Sequence, residues 1–196
     1  MSTTPAQTTT ARPSPARQRL LDAATDLFYS EGIHSVGVDR IIEAAGVTRA
    51  TMYKQFEGKE GLVLAYLRGE DEQLRALFTE ASAASSDPEV LLDLVIEGIE
   101  QDIRERHTRG RPFINAAAEY PDEGPVRSLI DDHRDWFRAT LERAATAAGL
   151  TDPADVAASL VLLRDAALVG GYLDGQDRVA PAFARTARGV IAAHRG

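Results

Sequence analysis

The sequence predicts an all-α fold of about nine helices, on three observations. Apolar residues recur at intervals of three and four along most of the chain. No segment alternates β-branched or aromatic residues with polar ones, as a strand would. Gly and Pro punctuate the periodic stretches at irregular intervals, so no repeat of fixed period builds a solenoid or propeller.

Residues 1–13 are rich in Thr, Pro and Ala without periodicity and read as a disordered arm. Ser14-Pro15 then opens a first helix, a capping side chain followed by a residue pre-set for the first turn. Leu20, Leu21, Ala24, Leu27 and Phe28 recur along it, and Gly32 stops it. A short second helix covers about Val38 to Ala45. A third runs from Thr48, as its cap, to Phe56. From Lys59 a longer helix reaches about Ala83. Ser85-Ser86-Asp87-Pro88 caps a fifth, carrying Val90, Leu91, Leu94, Val95, Ile99 and Ile103 and ending near His107 before the loop Thr-Arg-Gly-Arg-Pro. Phe113 to Tyr120 is short and helical, Pro125 to Ala148 long. Asp152-Pro153 caps an eighth helix to about Leu173, and a last one covers about Pro181 to Ala193.

Composition bounds what such a chain does. Over 196 residues, 44% apolar and 27% charged side chains match an ordinary globular protein rather than a disordered or fibrous one. No apolar run approaches the roughly 18 residues that cross a bilayer, so an integral membrane protein is not expected. The N-terminus lacks the apolar stretch of a secretory signal, so the expected compartment is the cytoplasm. With no cysteine, disulfides, thiolate nucleophiles and cysteine-based metal sites are excluded. His107, His133 and His194 are too scattered for a metal site, and no cofactor motif or catalytic signature is present. An enzyme is not indicated.

Charge is unevenly placed. The net charge is −8, yet residues 1–60 hold seven basic and seven acidic side chains, so residues 61–196 carry the whole deficit. Lys54 and Lys59, the only lysines, both lie in the balanced part. A local basic face there can meet phosphates, because such contacts act over about 8–10 Å.

The informative stretch is Val38 to Leu62, VDRIIEAAGVTRATMYKQFEGKEGL. Gly46 supplies the left-handed corner that joins two short helices. Ile41, Ile42, Ala45, Val47, Met52 and Phe56 can face the first helix as a small core. That leaves Arg49, Thr51, Tyr53 and Lys54 outward on the third helix, the part that enters the major groove in a helix-turn-helix. Arg and Thr suit base edges, Lys and Tyr suit phosphates. Lys59, with the free N–H groups of the helix it starts, suits a further phosphate. Three packed helices with solvated Arg and Lys side chains would read the same way.

The run V-T-R-A-T-M-Y-K-Q-F-E-G-K-E-G-L resembles the recognition-helix signature of the TetR family of transcriptional regulators, V-S-[KR]-G-T-[LF]-Y-x-[HY]-F-x-[SGN]-K-[ED]-x-L. Val47, Arg49, Thr51, Tyr53, Phe56, Gly58, Lys59, Glu60 and Leu62 match, after Ala44-Ala45-Gly46. Thr48 stands for a common Ser and keeps the cap. The first helix, R-L-L-D-A-A-T-D-L-F-Y-S-E-G-I, is similar too. Ala50 replaces a frequent Gly, adding a methyl that could touch thymine or the backbone, and Gly37 replaces a usual Ser or Thr cap. The resemblance implies DNA-binding residues Thr48, Arg49, Ala50, Thr51, Tyr53, Lys54 and Lys59 within a unit spanning 14–60. It implies a helical domain over 61–196 that binds a small effector and dimerises through its last two long helices. The expected protein is a ligand-responsive repressor that binds a pseudo-palindromic operator as a homodimer. A helical sensor or interaction module without operator binding is the alternative.

The C-terminal sequence agrees in kind. Leu160, Val161, Leu162, Leu163, Ala166, Ala167, Leu168 and Val169 make one helix apolar on most sides, and Val179, Phe183, Ala187, Val190 and Ile191 stripe the next. A monomer core could absorb these as well as a dimer. For an effector pocket the candidates are Phe113, Asn115, Glu119, Trp136, Phe137, Arg164 and Tyr172, aromatic walls with a few polar groups among them. Buried ion pairs and simple core packing remain the alternative for these seven.

Overall fold

The computed structural model describes residues 14–105 and 112–196. Among them run α1 (Pro15–Glu31), α2 (Val38–Ala45), α3 (Arg49–Phe56), α4 (Lys59–Ala84), α5 (Pro88–Glu105), α6 (Pro112–Glu119), α7 (Pro125–Ala147), α8 (Pro153–Asp174) and α9 (Gln176–Ala193). The arm expected at 1–13 and the end of the fifth helix near His107 lie outside the described residues. The chain divides into two compact units, Met1–Leu62 and Val63–Gly196, with the division falling inside α4.

In the first unit, each helix end follows from its capping chemistry. Ser14 accepts from the Arg17 N–H, and Thr48 accepts from the Thr51 N–H at 3.2 Å. Gly46 takes φ 60°, ψ 43°, and its N–H closes the last turn of α2. Leu20, Ala24 and Phe28 of α1 are buried with Ile41, Ala45, Met52 and Phe56 of α2 and α3. Ile42 and Val47, expected in that core, are only half-buried, while Ile33 and Val36 of the connection before α2 are fully buried and take part.

Two arginines of α1 serve this packing. Arg17 donates to the Gln55 carbonyl at 2.6 Å and lies 4.1 Å over the Phe56 ring, and Arg19 donates to the Ala45 carbonyl at 3.1 Å. Each satisfies a carbonyl at the C-terminal end of a short helix, where a cation is favourable.

A connection of two residues, Glu57 and Gly58, both at positive φ, turns α3 into α4. The turn is tight enough that a Cβ on Gly61 would stand 1.9 Å from the Phe56 carbonyl oxygen.

In the second unit, α8 packs against α7 and α9, and α5 against α9 and α7. One core joins Ile96, Ile99 and Ile103 of α5, Phe137 and Leu141 of α7, Leu160, Val161 and Leu168 of α8, and Phe183 and Ala187 of α9. Three expectations need correction. The last helix begins at Gln176 rather than at Pro181, because the Gly175 carbonyl closes a first turn onto the Arg178 and Val179 N–H groups and buries Ala180. Asp152 precedes α8 in a left-handed conformation without a side-chain cap; its carbonyl, not its carboxylate, receives the Asp155 and Val156 N–H groups. Finally, α8 is long and apolar enough, by length and composition, to cross a membrane. Its apolar sequence is split midway by Arg164 and Asp165, and Arg164 is buried in the unit's own interior.

Gly61→Ala is expected to destabilise the first unit by about 1–3 kcal/mol, the usual cost of overpacking. Gly69→Ala, eight residues on, meets nothing within 4 Å and is expected to gain up to about 1 kcal/mol of helix propensity. Urea melts of the two variants, opposite in sign relative to the parent chain, check the contact.

Candidate nucleic-acid interface and ligand cavity

The recognition-type helix α3 divides its side chains as its spacing requires. Met52 and Phe56 are buried, while Thr48, Arg49, Ala50, Tyr53 and Lys54 are exposed. Thr51 is half-buried, and its hydroxyl lies 2.9 Å from that of Thr48, so both threonines are engaged in the cap. Arg49, in the first turn, pairs with Asp39 of α2. Both groups are exposed, and a pair of this kind contributes only about 0–1 kcal/mol, so the guanidinium is held lightly and is free to exchange partners. Arg40 pairs similarly with Glu31. Lys59, half-buried at the start of α4, reaches the His34 carbonyl at 3.5 Å. Gly37 precedes α2 with extended backbone and no side-chain cap.

The second unit holds a cavity of about 470 Å³ whose wall includes Leu74, Phe113, Ile114, Ile130, Phe137 and Val169. Among the described residues three polar side chains are buried: Asp102 at 7%, His133 at 5% and Arg164 at 8% exposure. All three line this one cavity. Burying such groups is costly unless something compensates, so their convergence marks the cavity as more than a packing gap. At its rim, Arg127 pairs with Asp131 at 2.9 Å and Arg134 with Asp165 at 2.7 Å. Arg164 lies 4.4 Å over the Phe137 ring. Among the described residues, no three His, Asp or Glu side chains cluster as metal ligands would.

Of the seven sequence candidates, Phe113, Phe137 and Arg164 line the cavity. Asn115 and Glu119 are half-buried on α6 and outside the lining, and Tyr172 is exposed near the end of α8. Trp136 sits behind the wall, under Arg75 at 4.1 Å and edge-on to Phe78. The sequence reading missed a buried pair, one member of which, His133, lines the cavity. His133 Nδ1 lies 2.7 Å from Asp71 Oδ1 of α4, and the Phe113 ring stacks on the imidazole at 3.7 Å and 5°. The spacing Ile130, His133, Phe137, Leu141 does put the histidine on the buried face of α7. Nothing in sequence links it to Asp71, 62 positions away.

Burial pushes the His133 pKa below its ordinary 6.5; the hydrogen bond to Asp71 opposes this, and the Arg164 and Arg75 charges reinforce it.

Comparison with known proteins matches these features. The profile of bacterial regulatory proteins, tetR family, matches residues 20–66, which contain α2, α3 and the turns around them. The regulator AcrR of Shigella flexneri is 30% identical over 167 residues, covering 81% of this chain and 75% of that protein. The chain belongs to the TetR family. A crystal structure of a TetR-family transcriptional regulator from Streptomyces coelicolor aligns with TM-score 0.87 at 40% identity, covering 92% of this chain and 96% of that one. The repressor KstR2 of Rhodococcus jostii is 30% identical over 141 residues, 72% of this chain; the chain spans 64% of it, less than two thirds. The family assignment accounts for the helix-turn-helix and the all-α architecture. The His133–Asp71 pair is a finding on this chain's own residues.

Because the folded state holds His133 below 6.5, the unfolded chain takes up its proton first as pH falls. The stability attached to the neutral ring is therefore whole above pH 6.5 and is lost as pH descends towards the folded value. Urea midpoints at pH 7.5 and 5.5 are expected to differ more for the parent chain than for His133→Gln, which has no such proton to bind.

Proposed function

We propose that this TetR-family chain is an effector-responsive transcriptional repressor, acting in the cytoplasm as a homodimer on a pseudo-palindromic operator and released by a small molecule. The convergence of three buried polar side chains on one cavity, in a unit separate from the recognition helix, carries the sensing half of this reading. In the reading half, Arg49 and Ala50 face the bases and Tyr53 and Lys54 the phosphates, with Lys59 at the start of α4 holding another phosphate. Thr48 and Thr51 shape the first turn that presents them.

Apolar side chains left exposed on α8 support the dimer. Leu162 is 66% exposed and Leu173 70%, with Val169 between them on the same helix face. Eleven positions separate Leu162 from Leu173, so the stripe runs three turns and suits a twofold contact with another copy. Two recognition helices would then meet half-sites about 34–36 Å apart.

An effector can release DNA only by binding the DNA-incompetent state more tightly. Helix α4 is the route for that coupling, since Lys59 to Leu62 belong to the first unit while Asp71 holds His133 and Leu74 lines the cavity.

Selection of duplexes from a random library by the full chain is expected to enrich an inverted repeat; enrichment of no repeat would remove the operator reading. Arg49→Ala should lose about 1–3 kcal/mol of discrimination at one position. Lys54→Ala should weaken all sequences alike and flatten the salt dependence by about one unit. For the dimer, Leu162→Glu with Leu173→Glu should yield a monomer in sedimentation with unchanged helicity, and a parent chain that already sediments as a monomer would contradict the interface.

A further inference from the structure

A donor and acceptor inventory of the cavity narrows the chemistry of what it takes. Asp71 engages both carboxylate oxygens, Oδ1 with His133 Nδ1 at 2.7 Å and Oδ2 with Arg75 Nε at 2.7 Å. Facing a carboxylate that already accepts from a guanidinium, Nδ1 is the ring nitrogen that carries the proton. The other nitrogen, Nε2, is buried and has no hydrogen-bond partner among the described residues. Burial and the Arg164 and Arg75 charges keep the ring neutral near pH 7, so Nε2 presents a lone pair. An acceptor buried without a donor is costly. His133 lines the cavity while Nε2 itself is closed off, so a ligand O–H that moves the neighbouring side chains aside and reaches it removes that cost.

The rest of the wall limits what bears the hydroxyl. Phe113 and Phe137 offer aromatic surface, and Leu74, Ile114 and Ile130 are aliphatic. The rim charges on Arg127, Asp131, Arg134 and Asp165 are paired with one another, and the lining Glu70, Asp102 and Arg164 are each already engaged. A carboxylate ligand would set acceptor against acceptor at Nε2, and a plain hydrocarbon would leave Nε2 unmet. A flat apolar ring with one hydroxyl satisfies both the aromatic wall and the lone pair.

Resting on the effector-pocket reading above, we propose that the cavity takes an uncharged aromatic alcohol or phenol whose hydroxyl donates to His133 Nε2, with Asp71 as the positioning residue that fixes the imidazole tautomer. The pair then has a second consequence. A ligand bound at Nε2 polarises the imidazole, strengthens its bond to Asp71, and so acts on α4 through a hydrogen bond already in place.

The test uses the full chain and two probes of nearly equal shape, 2-naphthol and 2-methoxynaphthalene, titrated calorimetrically at pH 7.5, with nitrogen NMR of ¹⁵N-histidine-labelled protein. The expected result is at least tenfold tighter binding of 2-naphthol, together with a shift of the His133 Nε2 resonance that the methoxy compound does not produce. His133→Phe should keep the methoxy compound and abolish the preference. Asp71→Asn should move the tautomer signature of His133 and reduce the preference. Equal affinity for the two probes, with ring signals of Phe113 shifting for both, would overturn the hydroxyl contact and leave the pocket reading standing. A preference that survives in His133→Phe would overturn the assignment to this residue. Binding of neither probe, with no change at Phe113 or His133, would count against pocket and contact together. Should the His133 variant fail to fold, the Nε2 response of the parent chain decides.

Discussion

The close approach of Gly61 to the Phe56 carbonyl is the constraint on which the geometry of the first unit turns. Helices of eight residues are too short to hold themselves together in water. They persist because their ends are fixed by neighbours, and α3 is fixed at its end by a helix that leaves almost without a connection. Only a residue lacking a side chain permits that junction. The recognition-type helix therefore shares its terminus with the start of a helix of 26 residues, and further along that helix lie Asp71 and Leu74. A glycine such as Gly61 is ordinarily a loosening element in a helix. Its contact distance makes it a tightening one.

Much of the fold is legible in the sequence because helix ends are written in local chemistry. Ser14, Gly46 and Thr48 do what their side chains, or lack of one, allow anywhere. The failures have tertiary causes. Pro181 marks a plausible start, yet packing of Ala180 extends α9 upstream of it. Asp152 has the right chemistry for a cap but the wrong backbone conformation to use it.

The candidate sites divide along the same line. The outward face of α3 is contiguous in sequence and could be named residue by residue. The cavity is assembled from five helices, and only members conspicuous in their own helix were found: Phe113, Phe137, and Arg164 in an apolar stretch. Tyr172 looked equivalent to Arg164, but the buried stripe of α8 passes through Leu160, Arg164, Ala167, Leu168 and Gly171 and misses it. Asp71 carries no local signal at all, being one carboxylate among many on an acidic helix. Its role exists only once His133 is brought against it.

Basic residues counted in sequence also change meaning once their partners are seen. Arg17 and Arg19 resemble part of a cationic surface, yet they cap the carbonyl ends of α3 and α2. The stretch Ser14–Arg19 is thus an anchor for both short helices. A fusion or truncation that spares residue 20 onward but removes these guanidinium groups would cut the two guy-lines of the recognition unit while leaving its hydrophobic core sequence complete.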